Sequence, residues 1–272
     1  MITQPLPAPV LTRNRSVDSF STPAVVLAGG KAKPELEAVI GVPVRAMAVV
    51  NGKTLLSHIV DALRSASLPG EITVVGDVPD SDAYKRVGDG GDFVTNIFTG
   101  LARYENAAYV LVSTSDLPYI TCATVDLFLD GAIHMAEETG ANMVYPIVEV
   151  ASCYAQFPGI KRTARKLKEG SFTGGNMMLL RPAFMMQQRH RIADAYAARK
   201  SPAKLASMLG YGTLLRLILS QTISSSLLSV SMLEERASAM LGGSVKSLVF
   251  PNADIATDLD KPEDFVAARS RD

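Results

Sequence analysis

Hydrophobic residues fall into two repeating patterns along the first half of this chain. Short runs rich in Val, Leu and Ile predict strands at about 24–28, 72–76, 109–113 and 142–147. Between these runs, hydrophobic residues recur at helical spacing and predict helices at about 54–67, 95–104 and 121–138. Strands that alternate with helices of this length are typical of right-handed βαβ units. The pattern therefore predicts an α/β protein with a mainly parallel sheet.

The second half of the chain has a different pattern. Residues 163–168 and 171–180 flank a turn at Glu169-Gly170 and predict a hairpin that joins the sheet. From about 182 to 241 the pattern is helical and rich in Met, Leu, Ala and Ser, which predicts a helical insertion. A last strand at about 247–250 precedes a C-terminal helix. We therefore predict a flexible leader at 1–21 and one domain at 22–272 that contains the insertion.

Composition narrows the possible classes of function. Of the 272 residues, 47% are hydrophobic and 20% are charged, as in globular proteins. The formal net charge is zero, which argues against nucleic-acid binding, because such proteins usually have a basic excess. We see no signal segment and no stretch apolar enough to span a membrane, so we expect a cytoplasmic protein without membrane contact. Cys122 and Cys153 belong to no metal-binding motif and are expected to be free thiols.

A glycine pair follows the first predicted strand. The sequence reads Leu27-Ala28-Gly29-Gly30, and Lys31 and Lys33 follow it. Glycines let backbone N–H groups approach phosphate oxygens closely, and the lysines add positive charge, so this loop is a candidate phosphate site. A plain turn is the alternative interpretation. The segment Gly52-Lys53-Thr54 is not a P-loop, because it lacks the upstream glycine at the required spacing.

Three aspartates are candidate ligands for a divalent cation. Asp116 follows a buried strand, so it is expected at the same edge of the sheet as the glycine pair. Asp258 and Asp260 alternate along an extended segment and are therefore expected to point to the same side. Carboxylates together with substrate phosphates are the ligands that Mg²⁺ prefers. The alternatives are a turn or helix cap at Asp116, and helix-start chemistry in the acidic segment around Pro262.

Two further segments have polar groups suited to a second substrate. Five cations fall within residues 161–168, beginning with Lys161 and Arg162, and they would meet a phosphorylated acceptor or pyrophosphate. A solvated face is the alternative for this basic run. The run Thr173-Gly174-Gly175-Asn176 would bring backbone groups and an amide close to an acceptor, and its alternative is a β-bulge or a turn.

Together these segments resemble the nucleotidyltransferase superfamily with the GT-A-like fold, in particular the branch similar to the molybdenum cofactor guanylyltransferase. The resemblance covers roughly residues 23–181 and 245–268. It implies a three-layer α/β/α arrangement around a mainly parallel mixed sheet, which is the nucleotide-diphospho-sugar transferase fold. The motifs concerned are Leu27-Ala28-Gly29-Gly30, Asn51-Gly52-Lys53-Thr54-Leu55-Leu56, Ser115-Asp116-Leu117-Pro118 and Asp258-Leu259-Asp260-Lys261-Pro262-Glu263-Asp264.

The resemblance also implies a reaction and a set of site residues. A nucleoside monophosphate would pass from an NTP to a phosphorylated small-molecule acceptor, with Mg²⁺ as cofactor and release of pyrophosphate. The implied catalytic residues are Asp116, Lys31 and Arg45, which stands where the family has a lysine, and the implied metal ligands are Asp116, Asp258 and Asp260. The implied nucleotide-binding residues are Leu27, Ala28, Gly29, Gly30, Gly90, Gly91, Asn96 and Ser115. The implied acceptor-binding residues are Lys161, Arg162, Thr173, Gly174, Gly175 and Asn176.

Such a protein would work as a monomer or a homodimer, with neither nucleic acid nor membrane as a partner. Two other functions stay open. A GT-A glycosyltransferase shares the sheet and the carboxylate–metal pair, although a glycine loop after the first strand suits a free NTP better. The other is a nucleotide-binding or scaffold protein without enzymatic activity, because the residues after Gly30 depart from the family's AGGxGxRxG pattern.

Overall fold

The computed structural model describes residues 21–198 and 227–269. The strands within these ranges are β1 (Thr22–Leu27), β2 (Val49–Val50), β3 (Lys53–Thr54), β4 (Pro69–Val75), β5 (Lys85–Val87), β6 (Val110–Thr114), β7 (Met143–Glu149), β8 (Arg165–Leu167), β9 (Gly170–Gly174), β10 (Met177–Leu180) and β11 (Val245–Val249).

The helices lie between the strands along the chain. They are α1 (Pro34–Ile40), α2 (Leu55–Ser65), α3 (Phe93–Leu101), α4 (Cys122–Thr139), α5 (Val150–Gln156), α6 (Pro182–Gln187), α7 (Arg189–Ala198), α8 (Val230–Leu241) and α9 (Pro262–Arg269). Short 3₁₀ helices span Arg45–Met47, Ala102–Tyr104 and Ala253–Ala256.

One large mixed sheet forms the centre of the described structure. Its strand order is β5-β4-β1-β6-β10-β7-β9-β8, and β11 lies beside β7. β1 is parallel to both β4 and β6, and β5 is parallel to β4. β10 runs antiparallel between β6 and β7, while β11 is parallel to β7. The predicted mainly parallel α/β sheet is confirmed, with antiparallel strands added on one side.

Alternation along the strands gives this sheet two buried faces. In β1, Ala24 and Val26 pack in a cluster with residues of α2 and α4, whereas Val25 and Leu27 pack in another with residues of α3 and α6. Successive side chains of a strand point to opposite faces, so one apolar run supplies both clusters. Helices therefore cover both faces, which confirms the three-layer α/β/α arrangement.

Two helix starts lie where the sequence predicts them. The Thr54 hydroxyl accepts a hydrogen bond from the Ser57 N–H at 3.0 Å and caps α2. The Thr121 hydroxyl accepts from the Thr124 N–H at 3.2 Å and caps α4, which ends at the left-handed Gly140. These bonds satisfy N–H groups that a helix start leaves without a partner.

The predicted hairpin over 163–180 is only partly right. β8 and β9 do pair, but the chain leaves β9 at Gly174 and returns as β10 between β6 and β7. Only two residues separate β9 from β10 in the sequence, so pattern alone does not separate them. The sequence analysis also missed α1, α5 and β5, because elements of three to seven residues are too short to show a period.

The predicted insertion at 182–241 is helical wherever it is described, in α6, α7 and α8. Residues 199–226 and leader residues 1–20 lie outside the described residues. Both cysteines are free thiols. Within residues 21–198 and 227–269, no helix is long and apolar enough to cross a membrane.

The contact between α3 and β1 yields a first prediction. A Cβ added at Gly100 would lie 2.4 Å from Val25 Cγ1, so Gly100→Ala should lower the free energy of unfolding by about 2 kcal/mol through overpacking. Urea denaturation followed by circular dichroism measures this change.

The matched control is Gly131→Ala in α4, whose Cβ would meet only the Leu248 side chain, with Cδ2 at 3.3 Å. That change should stay within about 0.5 kcal/mol of wild type or stabilise, because alanine favours a helix. Equal destabilisation by both substitutions would contradict the packing argument.

Candidate active site

Asp116 and the glycine pair lie at the same edge of the sheet. β1 and β6 are adjacent and parallel, with Leu27 opposite Thr114. Just beyond them, the Ser115 N–H donates to the Leu27 carbonyl at 3.2 Å. The Thr114 hydroxyl donates to Asp116 Oδ1 at 2.5 Å and so orients a carboxylate that is almost fully buried. The expectation that both segments meet at the carboxyl ends of neighbouring strands is thereby met.

A buried leucine positions the two aspartates of the C-terminal segment beside Asp116. Leu259 is fully buried, and its N–H donates to the Asp116 carbonyl at 3.2 Å. Asp258 and Asp260 flank it, and each offers a carboxylate oxygen within 4.8 Å of the others and of an Asp116 oxygen. Within the described part of the chain, no second group of three acidic, His or Cys side chains is this close. Asp116, Asp258 and Asp260 are called the acidic cluster below.

The helix-start alternative applies to a different acid. α9 begins at Pro262, and Asp264 Oδ2 accepts hydrogen bonds from the Asp260 N–H at 3.2 Å and the Lys261 N–H at 3.0 Å. Asp264, the third residue of α9, is therefore the acid that stabilises the helix start, as the third-position acid of a capping box does. Asp258 and Asp260 are left to contribute their carboxylates to the acidic cluster.

Two arginines neutralise part of the cluster's charge. Arg45 Nη2 lies 3.0 Å from Asp116 Oδ2, and Arg45 Nη1 donates to Asp260 Oδ1. Arg162, whose side chain is only 6% exposed, pairs with Asp258 at 2.7 Å and also donates to its backbone carbonyl. The two guanidinium groups thus pair with all three carboxylates of the cluster.

Burial and the proximity of these charged groups shift their pKa values. Burial, and then the negative charges of Asp116 and Asp260, raise the pKa of Asp258 to about 7, although Arg162 opposes the shift. Burial alone would lower the pKa of Arg45, but the nearby carboxylates, Asp116 first, raise it above its ordinary value. Burial and the charge of Asp258 also raise the pKa of Tyr145 to about 12. The acidic cluster therefore favours any additional positive charge.

The donor set of the cluster fits a hard divalent cation. All three groups are carboxylates, and they are close enough to share one ion. Three carboxylates and two guanidinium groups leave one formal negative charge, and phosphate oxygens of a substrate would complete an all-oxygen shell. The residues present thus meet the chemical requirement that the resemblance implies.

One cavity lies on the glycine-loop side of the cluster. It measures about 610 Å³ and is lined by Gly29, Gly30, Lys31, Ala32, Lys33, Glu35, Leu36, Arg45, Asp260, Lys261, Pro262 and Glu263. The structure therefore brings the predicted glycine pair together with Lys31 and Arg45. We call this space the glycine-loop cavity.

A second cavity lies on the other side. It measures about 530 Å³ and extends from the acidic cluster along β7 and β9 to α8. Its lining includes Lys161, Arg162, Thr173, Gly174 and Asn176, whereas Gly175 lies outside it and packs against Pro146. Asp260 and Lys261 line both cavities. The second cavity, called the β9 cavity below, thus meets the first at the cluster.

Asp89 is a site residue that the sequence analysis missed. Its carboxylate accepts from Asn96 Nδ2 at 2.7 Å, from the Gly91 N–H at 3.0 Å and from the Gly30 N–H at 3.3 Å. These bonds, that of Asn96 first, hold the pKa of Asp89 below its ordinary value. Asn96 also accepts from the Gly90 N–H at 2.7 Å, so the predicted nucleotide-binding residues Gly90, Gly91 and Asn96 are joined through Asp89 to the glycine pair.

The backbone at residue 29 lies so close to the Asp89–Asn96 pair that only glycine fits there. A Cβ at Gly29 would lie 2.3 Å from Asn96 Nδ2 and 2.6 Å from Asp89 Oδ1. Glycine is needed there because the Asp89–Asn96 pair lies directly over the backbone. The signal in the sequence was the Gly88-Asp89-Gly90-Gly91 run, where an acid among glycines lies just before the Asp92 cap of α3.

The chain matches the MobA-like NTP transferase domain over residues 24–209. Among solved structures, it is 32% identical to a hypothetical transferase from Thermus thermophilus, with a TM-score of 0.78 and coverage of 90% of this chain and 100% of that one. Among curated proteins, none matches.

More distant structures share the fold. The 2-C-methyl-D-erythritol 4-phosphate cytidylyltransferase from Thermus thermophilus has a TM-score of 0.51 at 16% identity, covering 91% of this chain and 96% of that one. The CMP:2-keto-3-deoxy-manno-octonic acid synthetase, solved in complex with CTP, has a TM-score of 0.57 at 12% identity, covering 92% of this chain and 98% of that one.

Fold and sequence together define a nucleotidyltransferase with the GT-A-like architecture. The chain belongs to the family of MobA-like NTP transferase domains, because the match spans well over half of it. This assignment favours NTP transfer over the glycosyltransferase and non-enzymatic alternatives.

The two neighbouring cations Lys161 and Arg162 are expected to differ in their structural importance. Arg162→Gln should lower the free energy of unfolding by about 2 to 3 kcal/mol, because it leaves the half-buried Asp258 without its counter-charge. Lys161 is exposed, so Lys161→Gln should change stability by no more than about 0.5 kcal/mol. Chemical denaturation of both variants measures the difference, and equal stabilities would show that the Arg162–Asp258 pair is not structural.

Proposed function

We propose that this enzyme transfers a nucleoside monophosphate from an NTP to a phosphorylated small-molecule acceptor, with release of pyrophosphate and with Mg²⁺ bound by Asp116, Asp258 and Asp260. The observation that supports this most strongly is that the acidic cluster reaches two cavities, because Asp260 lines both of them and Asp258 lines the β9 cavity. An NTP in one cavity and an acceptor in the other would meet at these carboxylates, so binding alone would supply much of the catalysis.

The glycine-loop cavity is suited to the NTP. Lys31 and Lys33 line it, and neither makes an ion pair with a described residue, so both are available to phosphates. Arg45 lines the same cavity and has the planar guanidinium that binds phosphate oxygens in pairs. The network of Asp89 and Asn96 is the part of the site that would contact the nucleoside.

The β9 cavity is suited to an anionic acceptor. Lys161 and Arg165 line it without an ion pair to any described residue. Arg162 contributes a buried Nε that has no hydrogen-bond partner within the described residues. A buried donor of this kind is costly until it meets an acceptor atom, and a phosphate oxygen would provide one. Thr173 and Asn176 add neutral polar groups to the lining.

The proposed chemistry needs no nucleophile from the protein. The acceptor phosphate oxygen attacks the α-phosphorus of the NTP, a P–O bond forms there, and the bond to the β-phosphate oxygen breaks to release pyrophosphate. When bound, Mg²⁺ would neutralise charge at the α-phosphate. Arg45 and Lys31 would stabilise charge on the departing pyrophosphate, and Lys161 and Arg165 would orient the acceptor.

Melting temperatures measured with each of the four NTPs, with and without Mg²⁺, test the donor. We expect one NTP to raise the melting temperature only when Mg²⁺ is present, because a ligand that binds the folded state stabilises it. In Asp116→Asn this shift should disappear, and pyrophosphate release with a panel of phosphorylated small molecules should fall by about a hundredfold or more.

A buried aspartate outside the acidic cluster provides the control. Asp254 accepts from the Thr124 hydroxyl at 2.6 Å and does not belong to the cluster, so Asp254→Asn should keep the nucleotide-dependent shift. The proposal would be wrong if no NTP changed the melting temperature of the wild type, or if Asp116→Asn released pyrophosphate at the normal rate.

Substitutions in the β9 cavity test the proposed acceptor binding. Lys161→Gln and Arg165→Gln should each raise the KM for the acceptor about tenfold and leave the NTP-dependent melting shift unchanged, because each removes a charge-assisted hydrogen bond. Lys168, in the same basic run, lies outside the β9 cavity and is the matched control. If Lys168→Gln raised the KM as much as the other two, the basic run would act only as a charged surface.

A further inference from the structure

Arg45 connects the acidic cluster with the glycine-loop cavity. Its guanidinium contacts Asp116 Oδ2 at 3.0 Å and also donates to Asp260 Oδ1. The side chain is 32% exposed and lines the glycine-loop cavity. One guanidinium group therefore contacts the carboxylates and is also accessible from the space proposed for the NTP.

The carboxylates that Arg45 engages are two of the three that a divalent cation at the cluster would share. Asp116 and Asp260 supply two of the three carboxylates in the cluster, and the third, Asp258, is paired with Arg162. A guanidinium and a divalent cation on one carboxylate repel each other strongly at this range. Cation binding at the cluster therefore requires Arg45 to give up at least part of its contacts.

Phosphate offers Arg45 another partner. A guanidinium forms paired, charge-assisted hydrogen bonds with phosphate oxygens as readily as with carboxylates. Lys31 and Lys33 line the same cavity and attract a polyphosphate to it. A triphosphate bound there would let Arg45 exchange carboxylate oxygens for phosphate oxygens without losing its charge pairing.

We propose that Arg45 is an internal counter-cation that makes divalent-cation binding depend on the nucleotide. Without nucleotide, Arg45 neutralises Asp116 and Asp260 and competes with a cation for them. With nucleotide, Arg45 moves to the phosphates and the two carboxylates become available. The competition follows from the geometry alone, whereas the exchange rests on the proposed function. Nucleotide and cation should then strengthen each other's binding by the same factor.

Calorimetric titration with Mn²⁺ alone tests the competition. Arg45→Gln removes the competing charge, so it should lower the Mn²⁺ dissociation constant about tenfold relative to wild type. Lys261→Gln is the matched control, because Lys261 lines both cavities beside Asp260 but makes no ion pair with the cluster. It should lower the constant less than about threefold, through its distant charge only.

A second variant keeps the test valid if Arg45→Gln does not fold. Arg45→Lys retains the charge but replaces the two-pronged guanidinium with a single ammonium, so its Mn²⁺ affinity should lie between those of wild type and Arg45→Gln. Circular dichroism shows which variants are folded. Unchanged Mn²⁺ affinity in the folded Arg45 variants, or an equal gain in Lys261→Gln, would overturn the proposal.

The same titrations separate this inference from the proposed function. If one NTP shifts the melting temperature of the wild type but the Arg45 variants bind Mn²⁺ as the wild type does, the inference fails and the nucleotidyl-transfer proposal stands. If the Arg45 variants gain Mn²⁺ affinity and no NTP binds, the competition stands, and both the exchange and the proposed function fail.

Discussion

The burial of Leu259 is the contact on which the candidate site depends. Leu259 packs in a small cluster with Leu36 of α1 and Phe265 of α9, and its N–H bonds to the carbonyl of Asp116. Neighbours of a buried residue on an extended segment point away from it. Burying Leu259 therefore turns Asp258 and Asp260 toward the carboxylate of Asp116. Without this contact, the last acidic segment would have no fixed relation to the sheet.

Electrostatics then links the parts of the site. Burial, and then the charges of Asp116 and Asp260, raise the pKa of Asp258 to about 7, and the charges of the cluster raise the pKa of Arg45. Arg45 and Arg162 reduce the repulsion among the carboxylates through their ion pairs. Each added or removed cation therefore changes the affinity of the cluster for the others. In the proposed reaction, this coupling would relate the binding of metal, nucleotide and acceptor within one site.

Much of the fold follows from local sequence. The buried run that forms β1 and the helices predicted from about residues 54 and 121 are short-range signals, and the structure confirms each of them. Parallel strands joined by helices also require Gly30 and Asp116 to meet at one edge, because the carboxyl ends of such strands coincide. The separation of β9 from β10 had no such signal, since only two residues lie between them.

The sequence by itself determined the mainly parallel α/β sheet and marked the glycine loop and the three aspartates as candidates, because periodicity and strand ends express local physics. Only the tertiary structure decided what those groups contact. It paired Arg45 and Arg162 with the acidic cluster, and it brought Asp89 onto the glycine pair. Charge pairing between residues far apart in sequence leaves no periodic trace, so these partners become visible only when the packed elements fix their distances.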